Sequence, residues 1–465
     1  MHGGDSATEL LTSYLLRARA TRLPADVATK AKLHILDTLA AMVSGATLPA
    51  GRSALRYAFV DGPGHDSSVI GVEHRTGAIT AALTNGILAH ADETDDSHGE
   101  VLVHLGCASV PAALAMAERN HTSGEAMLNA VVMGYDVGAR VMRSLKSGAD
   151  RAAPRRYARH SVAGTFAAAA AAGALVRDPL DIAQWDFLLS YAGHQASGLP
   201  SYSRDSDHIE KGFIFGGMPA RNGVTTALML EAGLTGIRDD IEGPDGFLAC
   251  FGDGLADPAP LQAELGTRFE ISHTNIKKYC VGSPCQAPVE CLARIMEKHE
   301  VGYPEFARFV LQTPTGETPV TRSDQQMPDL NVRYLLAVTL VDGGLTFTAG
   351  HDHDRMSDPE IMRIRSNIAI EANPAIAAPG ASRPGRGPAP AVLEFFTKDG
   401  RSFVEHVTNV RGVAANPMSL EEVIEKAREL FELALPKSRV DTLITKVLDL
   451  ESLESIDELG ILLRA

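Results

Sequence analysis

The segment HADETDDSHGEVLVHLG, residues 90–106, crowds aspartates, glutamates and histidines together, with His98 inside the acidic run and His104 just after it. Apolar TNGILA precedes the segment and apolar CASVPAALAMA follows it, so we expect the chain to enter the protein interior here. Partly buried carboxylates beside imidazoles have shifted pKa values, and groups of this kind carry general acid and base chemistry. The segment therefore predicts a site of proton transfer.

Two other interpretations of the acidic run are a solvated charged face and a metal site. If the run is helical, Asp92, Asp95 and Asp96 share one face, as in the Asp-rich magnesium motif of helical terpenoid synthases. That motif needs a second metal-binding helix, which the sequence does not show beyond chance matches. Nearby histidines would also be superfluous around an oxygen-ligated Mg²⁺. Proton transfer is the favoured interpretation.

Cationic and imidazole groups elsewhere could complete such a site. His160 stands at the mouth of an Ala-rich helix, where a helix N-terminus favours an anion, although a packed histidine is an alternative. Lys211 precedes one Gly-rich turn, and Lys277 and Lys278 precede another, although single lysines are usually solvated. In HDHD, residues 351–354, the histidines lie in a polar turn, so we expect both to be solvated and dispensable.

The composition limits the possible partners. A net charge of −15 over 465 residues argues against a nucleic-acid or anionic-membrane partner, since phosphates are held mainly by clustered Lys and Arg. The sequence shows no secretory signal and no membrane span, which predicts a cytoplasmic protein. Three of the five cysteines cluster without a C-x-x-C pair, so we expect buried apolar side chains rather than a zinc or iron–sulfur site. No P-loop is present.

The elements that must position these groups are mostly helical. TELLTSYLLRARA, ATKAKLHILDTLAAMVSGA and SVAGTFAAAAAAGALV are the clearest helices. After about residue 267, PEFARFVLQTP, RYLLAVTLVDGGLTF and AVLEFFTKDGRSFVEHV read as strands, ANPAIAAPGASRPGRGPAPA reads as a surface loop, and SLEEVIEKARELFELAL reads as a helix. We expect a mainly α fold, with a large all-helical domain (1–266 and 415–465) and a smaller inserted α+β domain (267–414).

In chain order, the blocks NGILAHADETDDSH, RHSVAGTFAAAAAAG, KGFIFGG, KKYCVGSPCQAP and RYLLAVTLVDG resemble the MmgE/PrpD family, and the similarity covers nearly the whole chain. That family includes 2-methylcitrate dehydratases, cis-aconitate decarboxylases and iminodisuccinate epimerases. The resemblance implies that the inserted α+β domain is a lid on the helical domain. It also implies a homodimer that needs no metal or organic cofactor.

Carried over residue by residue, the resemblance implies catalytic roles for Asp92, His104, His160, Lys211 and Tyr334. His104, oriented by Asp92, would exchange a proton with the substrate. His160 or Tyr334 would serve the opposite face or protonate a leaving hydroxyl, and Lys211 would neutralise carboxylate and enolate-like charge. Relative to the family pattern, the sequence carries one extra residue around position 94. The match between the family's aspartates and the aspartates at 92, 95 and 96 can therefore shift by one position.

The same comparison implies that the substrate is bound by Ser97, Arg204, Lys277, Lys278 and Gln286. Gln286 stands where cis-aconitate decarboxylases carry a lid histidine. An amide can orient a carboxylate but cannot move a proton.

Ile214 and Asn222 stand where many relatives have histidines. These departures weigh against a decarboxylase and, less strongly, against a 2-methylcitrate dehydratase.

The sequence as a whole predicts a cofactor-independent lyase, a hydro-lyase resembling 2-methylcitrate dehydratase, that acts on a small di- or tricarboxylic acid. The reaction would move a proton at a carbon next to a carboxylate. Three alternatives stay open: an epimerase of an iminodisuccinate-like acid, a decarboxylase of cis-aconitate type, and a non-catalytic paralogue that binds a metabolite.

Overall fold

A computed structural model gives the fold and describes residues 6–146, 156–318, 322, 324–377 and 389–464. The helices, numbered in chain order, are α1 Ala7–Ala18, α2 Ala25–Gly45, α3 Pro49–Asp61, α4 Ala78–Ala89, α5 Gly106–Asn120, α6 Gly124–Ser144, α7 Arg159–Gly173, α8 Ile182–Gln195, α9 Ile209–Gly212, α10 Met218–Glu231, α11 Phe247–Phe251, α12 Ala259–Gln262, α13 Gln286–His299, α14 Val332–Asp342, α15 Phe347–Gly350, α16 Pro359–Arg365, α17 Leu420–Phe431, α18 Lys437–Leu448 and α19 Asp457–Leu463. The strands are β1 Ser67–Val69, β2 His74–Thr76, β3 Ser97–His98, β4 Thr274–Asn275, β5 Phe306–Thr313, β6 Ile368–Ala372, β7 Ala391–Thr397 and β8 Ser402–Val407.

The chain is mainly α-helical, as the sequence predicts, and it divides into two compact units. The first unit comprises Met1–Ala91, Asp95–Thr274 and Leu420–Ala465, and the second comprises Asp92–Thr94 and Asn275–Ser419. In this division the first unit extends to residue 274, and the boundary near 267 expected from the sequence stays a prediction. Glu270 belongs to the first unit: its carboxylate lies 3.0 Å from His98 and accepts a hydrogen bond from Arg143 at 2.8 Å.

In the first unit the Ala-rich helix α7 packs against α5, α6 and α10. Its small side chains allow this close approach. A Cβ atom added to Gly134 or Gly138 of α6 would lie 2.8 Å from the carbonyl oxygen of Ala167 or Ala163, so neither position tolerates a larger residue. The sequence predicts α1, α2 and α7 correctly. The unit is not all-helical, because Ser67–Val69 pairs with His74–Thr76 as a short antiparallel hairpin.

The second unit contains a four-stranded sheet in the order β6-β5-β7-β8. β5 pairs with β6 in parallel and with β7 antiparallel, and β7 and β8 form the predicted hairpin. Helix α13 packs against β7, β8 and α14. Buried side chains on β7 alternate with less buried ones, as expected for a strand with one face on a core. Of the loop predicted at 372–391, residues 378–388 lie outside the described part.

The prediction of a strand over residues 333–347 is wrong, because Val332–Asp342 is a helix. This apolar run is buried almost throughout, and periodicity cannot distinguish a short buried strand from a buried helix. The deciding signals are at its ends. The Asn331 side chain accepts a hydrogen bond from the Tyr334 amide as an N-cap, and Gly343 ends the helix with a φ of 75°.

Among the described residues, no single helix combines the length and apolar composition of a membrane span. In the described part of the chain, α2 and α3 taken together reach that length and composition, and they are bent by 84° to each other.

Candidate active site

The acidic segment forms turns between α4 and α5 and is not helical. Its three aspartates are buried, and each binds a different set of partners: Asp95 contacts two histidines, Asp96 contacts a histidine and a tyrosine, and Asp92 contacts a histidine and a threonine. The shared helical face that a magnesium motif would need is therefore absent from this segment.

The centre of the candidate site is the contact between Asp95 and His104. The Nδ1 atom of His104 lies 3.0 Å from the Asp95 Oδ1 atom, and Nδ1 of His90 lies 3.0 Å from the same oxygen. His104 retains 10% side-chain exposure, whereas Asp95 and His90 are fully buried. With Nδ1 facing the carboxylate, the Nε2 atom of His104 is the nitrogen that can exchange a proton with a ligand.

The side chain of Phe215 packs against the histidines. The rings of His90 and His160 stack on it with centroid distances of 4.4 and 3.8 Å, and His104 lies 5.3 Å from His160 between ring centroids. Phe215 lies on the π-helical turn Phe213–Gly217, which links α9 to α10. The three imidazoles are thus gathered around one aromatic ring.

Two glycines bring this turn close to α4. A Cβ atom added to Gly216 would lie 2.0 Å from the carbonyl oxygen of Gly86, so the main chains touch here. The GFIFGG motif therefore serves packing: it places Phe215 against His90, which follows the last residue of α4.

Lys211 belongs to the same cluster. Its Nζ atom lies 5.4 Å from the Phe215 ring centroid, and its amide donates to the Asp205 carboxylate at 2.7 Å. The Lys211 charge also contributes to lowering the pKa values of His90 and His160. The structure therefore brings the predicted residues His104, His160 and Lys211 together.

Burial and charge set the ionisation of these groups. Burial lowers the pKa of His90 to about 4 and that of His160 well below its usual range, with nearby positive groups adding to the effect on His160. Burial opposes ionisation of Asp95, but His104 and His90 hold the pKa of its carboxyl well below the usual range. At neutral pH the cluster therefore combines neutral His90 and His160 rings with an Asp95 carboxylate.

Asp96 links the acidic segment to neighbouring helices through hydrogen bonds. Its carboxylate contacts Nδ1 of His34 at 2.7 Å and accepts hydrogen bonds from the Tyr135 hydroxyl and, at 3.1 Å, from the Gly106 amide. Gly106 begins α5 two residues after His104. Asp96 therefore fixes the main chain beside His104.

Asp92 differs from its predicted role as the residue that orients His104. Asp95 occupies that role, and Asp92 instead pairs with His351, whose Nε2 atom lies 2.7 Å from the Asp92 Oδ2 atom. His351 has only 9% side-chain exposure, so the prediction that it is solvated is wrong. A nearby carboxylate offsets the cost of burying an imidazolium, and a sequence pattern does not reveal that partner. His353 is exposed, as predicted.

Tyr334 lies in the core of the second unit, on α14. Its hydroxyl donates to the carbonyl oxygens of Ala349 at 2.6 Å and Asp352 at 3.2 Å. Burial, then the Asp352 charge, raises the pKa of this hydroxyl. In the structure Tyr334 therefore makes a contact that tethers its helix, and the proton donation expected of it stays a prediction.

Gln286 is also committed to main-chain contacts. Its Nε2 atom donates to the carbonyl oxygens of Tyr279 at 2.8 Å and Val281 at 2.9 Å, and its Oε1 atom accepts from the Tyr279 amide at 3.2 Å. Both amide hydrogens are thereby used, so the prediction that Gln286 orients a substrate carboxylate does not fit this geometry.

The remaining predicted binding residues differ in burial. Lys277 is buried and donates to the Glu93 carbonyl oxygen at 2.6 Å, whereas Lys278 and Arg204 are exposed. Ser97 is buried on β3. No contact of Arg204, Lys278 or Ser97 assigns any of them to a ligand, and their roles remain predictions.

Of the described acidic, histidine and cysteine residues, His90, Asp95 and Cys107 place ligand atoms within 4.8 Å of one another. A hydrogen-bond network accounts for this group. His90 and Asp95 bond to each other, and the Cys107 thiol donates to the Phe215 carbonyl oxygen at 3.7 Å. Burial, then the Asp95 charge, raises the pKa of the thiol well above its usual range, which disfavours a thiolate ligand.

The sequence does not reveal the places of His90 and Phe215 in the site or the burial of His351. His90 carried a usable signal, because it stands at the C-cap of an apolar helix immediately before the acidic run. The other two depend on contacts between segments far apart in sequence.

Comparison with known proteins agrees with the family resemblance. Residues 9–257 match the MmgE/PrpD N-terminal domain, and residues 279–451 match the MmgE/PrpD C-terminal domain. The chain is 27% identical to a cis-aconitate decarboxylase-like protein, oryM, of Aspergillus oryzae, over 98% of this chain and 96% of that protein. It is 28% identical to the cis-aconitate decarboxylase of Aspergillus terreus, over 94% and 91%, and 25% identical to that of Homo sapiens, over 99% and 95%. Because the two domain models together match most of its length, the chain belongs to the MmgE/PrpD family.

Proposed function

We propose that this chain is a lyase that moves a proton at a carbon next to a carboxylate of a small di- or tricarboxylic acid. The observation that carries the proposal is the contact between His104 and Asp95, with His160 and Lys211 in the same cluster. This set combines a proton carrier, a carboxylate that orients it, a second imidazole and a cation.

In the proposed reaction His104 accepts the proton from carbon at Nε2. The Asp95 carboxylate stabilises the imidazolium that forms and holds the ring in one orientation. The second imidazole, His160, is held neutral by burial and lies beside His104, where it can hydrogen-bond the substrate. The Lys211 ammonium stabilises the negative charge that develops on the substrate carboxylate as the proton leaves.

Dehydration is the reaction that we assign first. The proton passes from carbon to His104, the carbon–oxygen bond breaks, and the hydroxyl leaves as water after taking that proton from the imidazolium. The double bond forms between the two carbons, and the enzyme returns to its starting state. No external reactant is required, and we propose that no metal or organic cofactor takes part.

Decarboxylation is the second candidate, because the Aspergillus and human relatives that cover more than nine tenths of the chain are named cis-aconitate decarboxylases. In that case carbon dioxide leaves, and protonated His104 delivers the proton to the carbanion. The same residues serve both reactions, so the choice depends on which bond of the bound acid breaks.

The test is turnover of a panel of acids, followed by proton NMR: citrate, 2-methylcitrate, cis-aconitate and an iminodisuccinate-like acid. We expect an alkene product from a hydroxy acid, in the presence and absence of EDTA. The His104→Ala protein is the control for turnover that does not depend on the candidate site. Loss of carbon dioxide would favour the second candidate, and inversion without loss of water would indicate an epimerase. Binding of these acids without any turnover would overturn the proposal and leave a metabolite-binding protein.

We also propose a homodimer, from the family resemblance. Light scattering of the purified full chain should give twice the monomer mass, and a monomer at working concentrations would contradict this.

A further inference from the structure

The tripeptide Asp92–Thr94 groups with the second unit, although the residues on both sides of it, Ala91 and Asp95, belong to the first. The Asp92 carboxylate accepts hydrogen bonds from the Thr94 amide at 3.0 Å and the Thr94 hydroxyl at 2.5 Å. These bonds close the tripeptide into a tight turn. Asp95, the carboxylate that orients His104, follows directly in the chain.

His351 holds one end of this turn. Its Nδ1 atom lies 2.7 Å from the Phe347 carbonyl oxygen, and its Nε2 atom lies 2.7 Å from the Asp92 carboxylate. A carbonyl oxygen can only accept, so Nδ1 carries a proton, and the carboxylate at Nε2 favours a second one. The ring also stacks on the Phe347 side chain at a centroid distance of 4.1 Å. His351 is therefore fixed on three sides.

The charges around His351 favour its protonated form. Burial alone would lower its pKa, but the contact with Asp92 and the Asp92 charge, followed by the Asp329 charge and the Phe347 carbonyl, raise it to about 9. Asp92 faces the ring from the acidic segment, and Asp329 faces it from the turn Pro328–Leu330.

Lys277 holds the middle of the same turn. Its Nζ atom donates to the Glu93 carbonyl oxygen at 2.6 Å and lies 3.5 Å from the Glu93 carboxylate. The side-chain exposures are 3% for Lys277 and 9% for Glu93, so water does not screen this contact well. Two buried cations of the second unit thus hold a three-residue turn.

We propose that His351 and Lys277 are positioning residues that fix the turn Asp92–Thr94 and, through the Thr94–Asp95 peptide bond, set the carboxylate that orients His104. Neither side chain acts on the substrate. The effect on catalysis rests on the proposed function, whereas the effect on the turn does not.

The first test measures hydrogen exchange of the peptide that covers residues 90–96 in the full chain. His351→Phe keeps an aromatic ring against Phe347 but removes both nitrogen contacts. We expect exchange to accelerate at least about tenfold, because removing one partner of a buried ion pair is strongly destabilising. His353→Phe is the matched control: this exposed histidine is two residues away, and we expect no change in exchange.

Two further variants keep the proposal testable if His351→Phe does not fold. Lys277→Met retains most of the side chain's apolar length and should also accelerate exchange in this peptide. Combining His351→Gln with Asp92→Asn replaces the ion pair with a neutral amide pair, and this double variant should exchange more slowly than His351→Gln alone. Unchanged exchange in His351→Phe and Lys277→Met would overturn the proposal, whether or not the chain turns over any acid.

The second test is kinetic. His351→Phe should lower kcat with little change in KM, because Asp95 orients the proton carrier and does not bind substrate. Accelerated exchange with unchanged kcat would overturn the positioning role. Accelerated exchange in a chain whose wild type turns over none of the acids would count against the proposed function alone.

Discussion

The Nδ1 atom of His104 lies 3.0 Å from the Oδ1 atom of Asp95. This contact gives the ring a defined orientation and leaves Nε2 as the nitrogen for proton exchange. Both residues belong to the acidic segment between helices α4 and α5.

His104→Ala should lower kcat/KM by at least about a hundredfold, the usual range for losing an acid–base group. The variant should still fold, because Asp95 keeps its contact with His90. The measurement is steady-state kinetics on the acid identified from the panel, with His353→Ala as the control that should retain wild-type rates. Wild-type kinetics for His104→Ala would refute its assigned role.

Asp95→Asn should lower kcat by about a hundredfold or more, because an amide at this position no longer enforces the reactive tautomer. Asp92→Asn should have a smaller effect on kcat, because Asp92 pairs with His351 and not with His104. Comparing the two variants on one substrate decides which aspartate orients the ring. A larger loss for Asp92→Asn would return the role to Asp92.

Lys211→Ala should lower kcat/KM by at least about a hundredfold through loss of charge stabilisation. Lys211→Arg keeps the charge and should lose less. Lys298→Ala is a matched control on an exposed lysine and should leave the kinetics unchanged. Equal effects for Lys211→Ala and Lys298→Ala would remove Lys211 from the site.

Gln286→Glu should lower the free energy of unfolding by about 1–3 kcal/mol, because the buried carbonyl oxygens of Tyr279 and Val281 would lose their donor. KM should change little in the folded protein. Urea denaturation measures the first effect, with the exposed Gln326→Glu as control. A large rise in KM at unchanged stability would restore the substrate-binding role predicted from the sequence.

The pKa of His90, lowered by burial to about 4, predicts a neutral ring in the folded protein at about pH 5.5. In the unfolded chain the ring titrates near about 6.5, so the unfolded chain binds more protons between these values. The stability contributed by neutral His90 is therefore lost as the pH falls from about 6.5 towards 4.

Nitrogen NMR of labelled histidine should show His90 as a neutral Nδ1–H tautomer, and the urea-unfolded protein provides the comparison. A protonated His90 in the folded protein at about pH 5.5 would contradict the assigned network.

The sequence predicts helices α1, α2, α7 and α17 and the β7–β8 hairpin, because helical periodicity and turn residues are local signals. The structure brings His104, His160 and Lys211 together, and their catalytic roles stay a prediction. The strand expected over 333–347 is wrong because its apolar run lacks a clear period, and the residues that mark a helix there, Asn331 and Gly343, lie at the ends of the run.

The sequence does not show which atoms contact each buried polar side chain. Residue spacing indicates that carboxylates and imidazoles are close, but it does not show which oxygen meets which nitrogen. Asp95 and Asp92 are three positions apart and bind different histidines, and His351 comes from far along the chain. The contacts of Gln286 are hidden from the sequence for the same reason, since its partners are main-chain atoms that the fold brings to it.

The most direct test of the central claim is solvent isotope incorporation. The wild-type chain and His104→Ala are incubated in D₂O with the acid identified from the panel, and the recovered substrate and product are examined by NMR under reversible conditions and at long times. We predict deuterium at the carbon next to a carboxylate with the wild-type chain, and incorporation at least about a hundredfold slower with His104→Ala. Product formation by the wild-type chain without deuterium at that carbon would contradict proton transfer by His104.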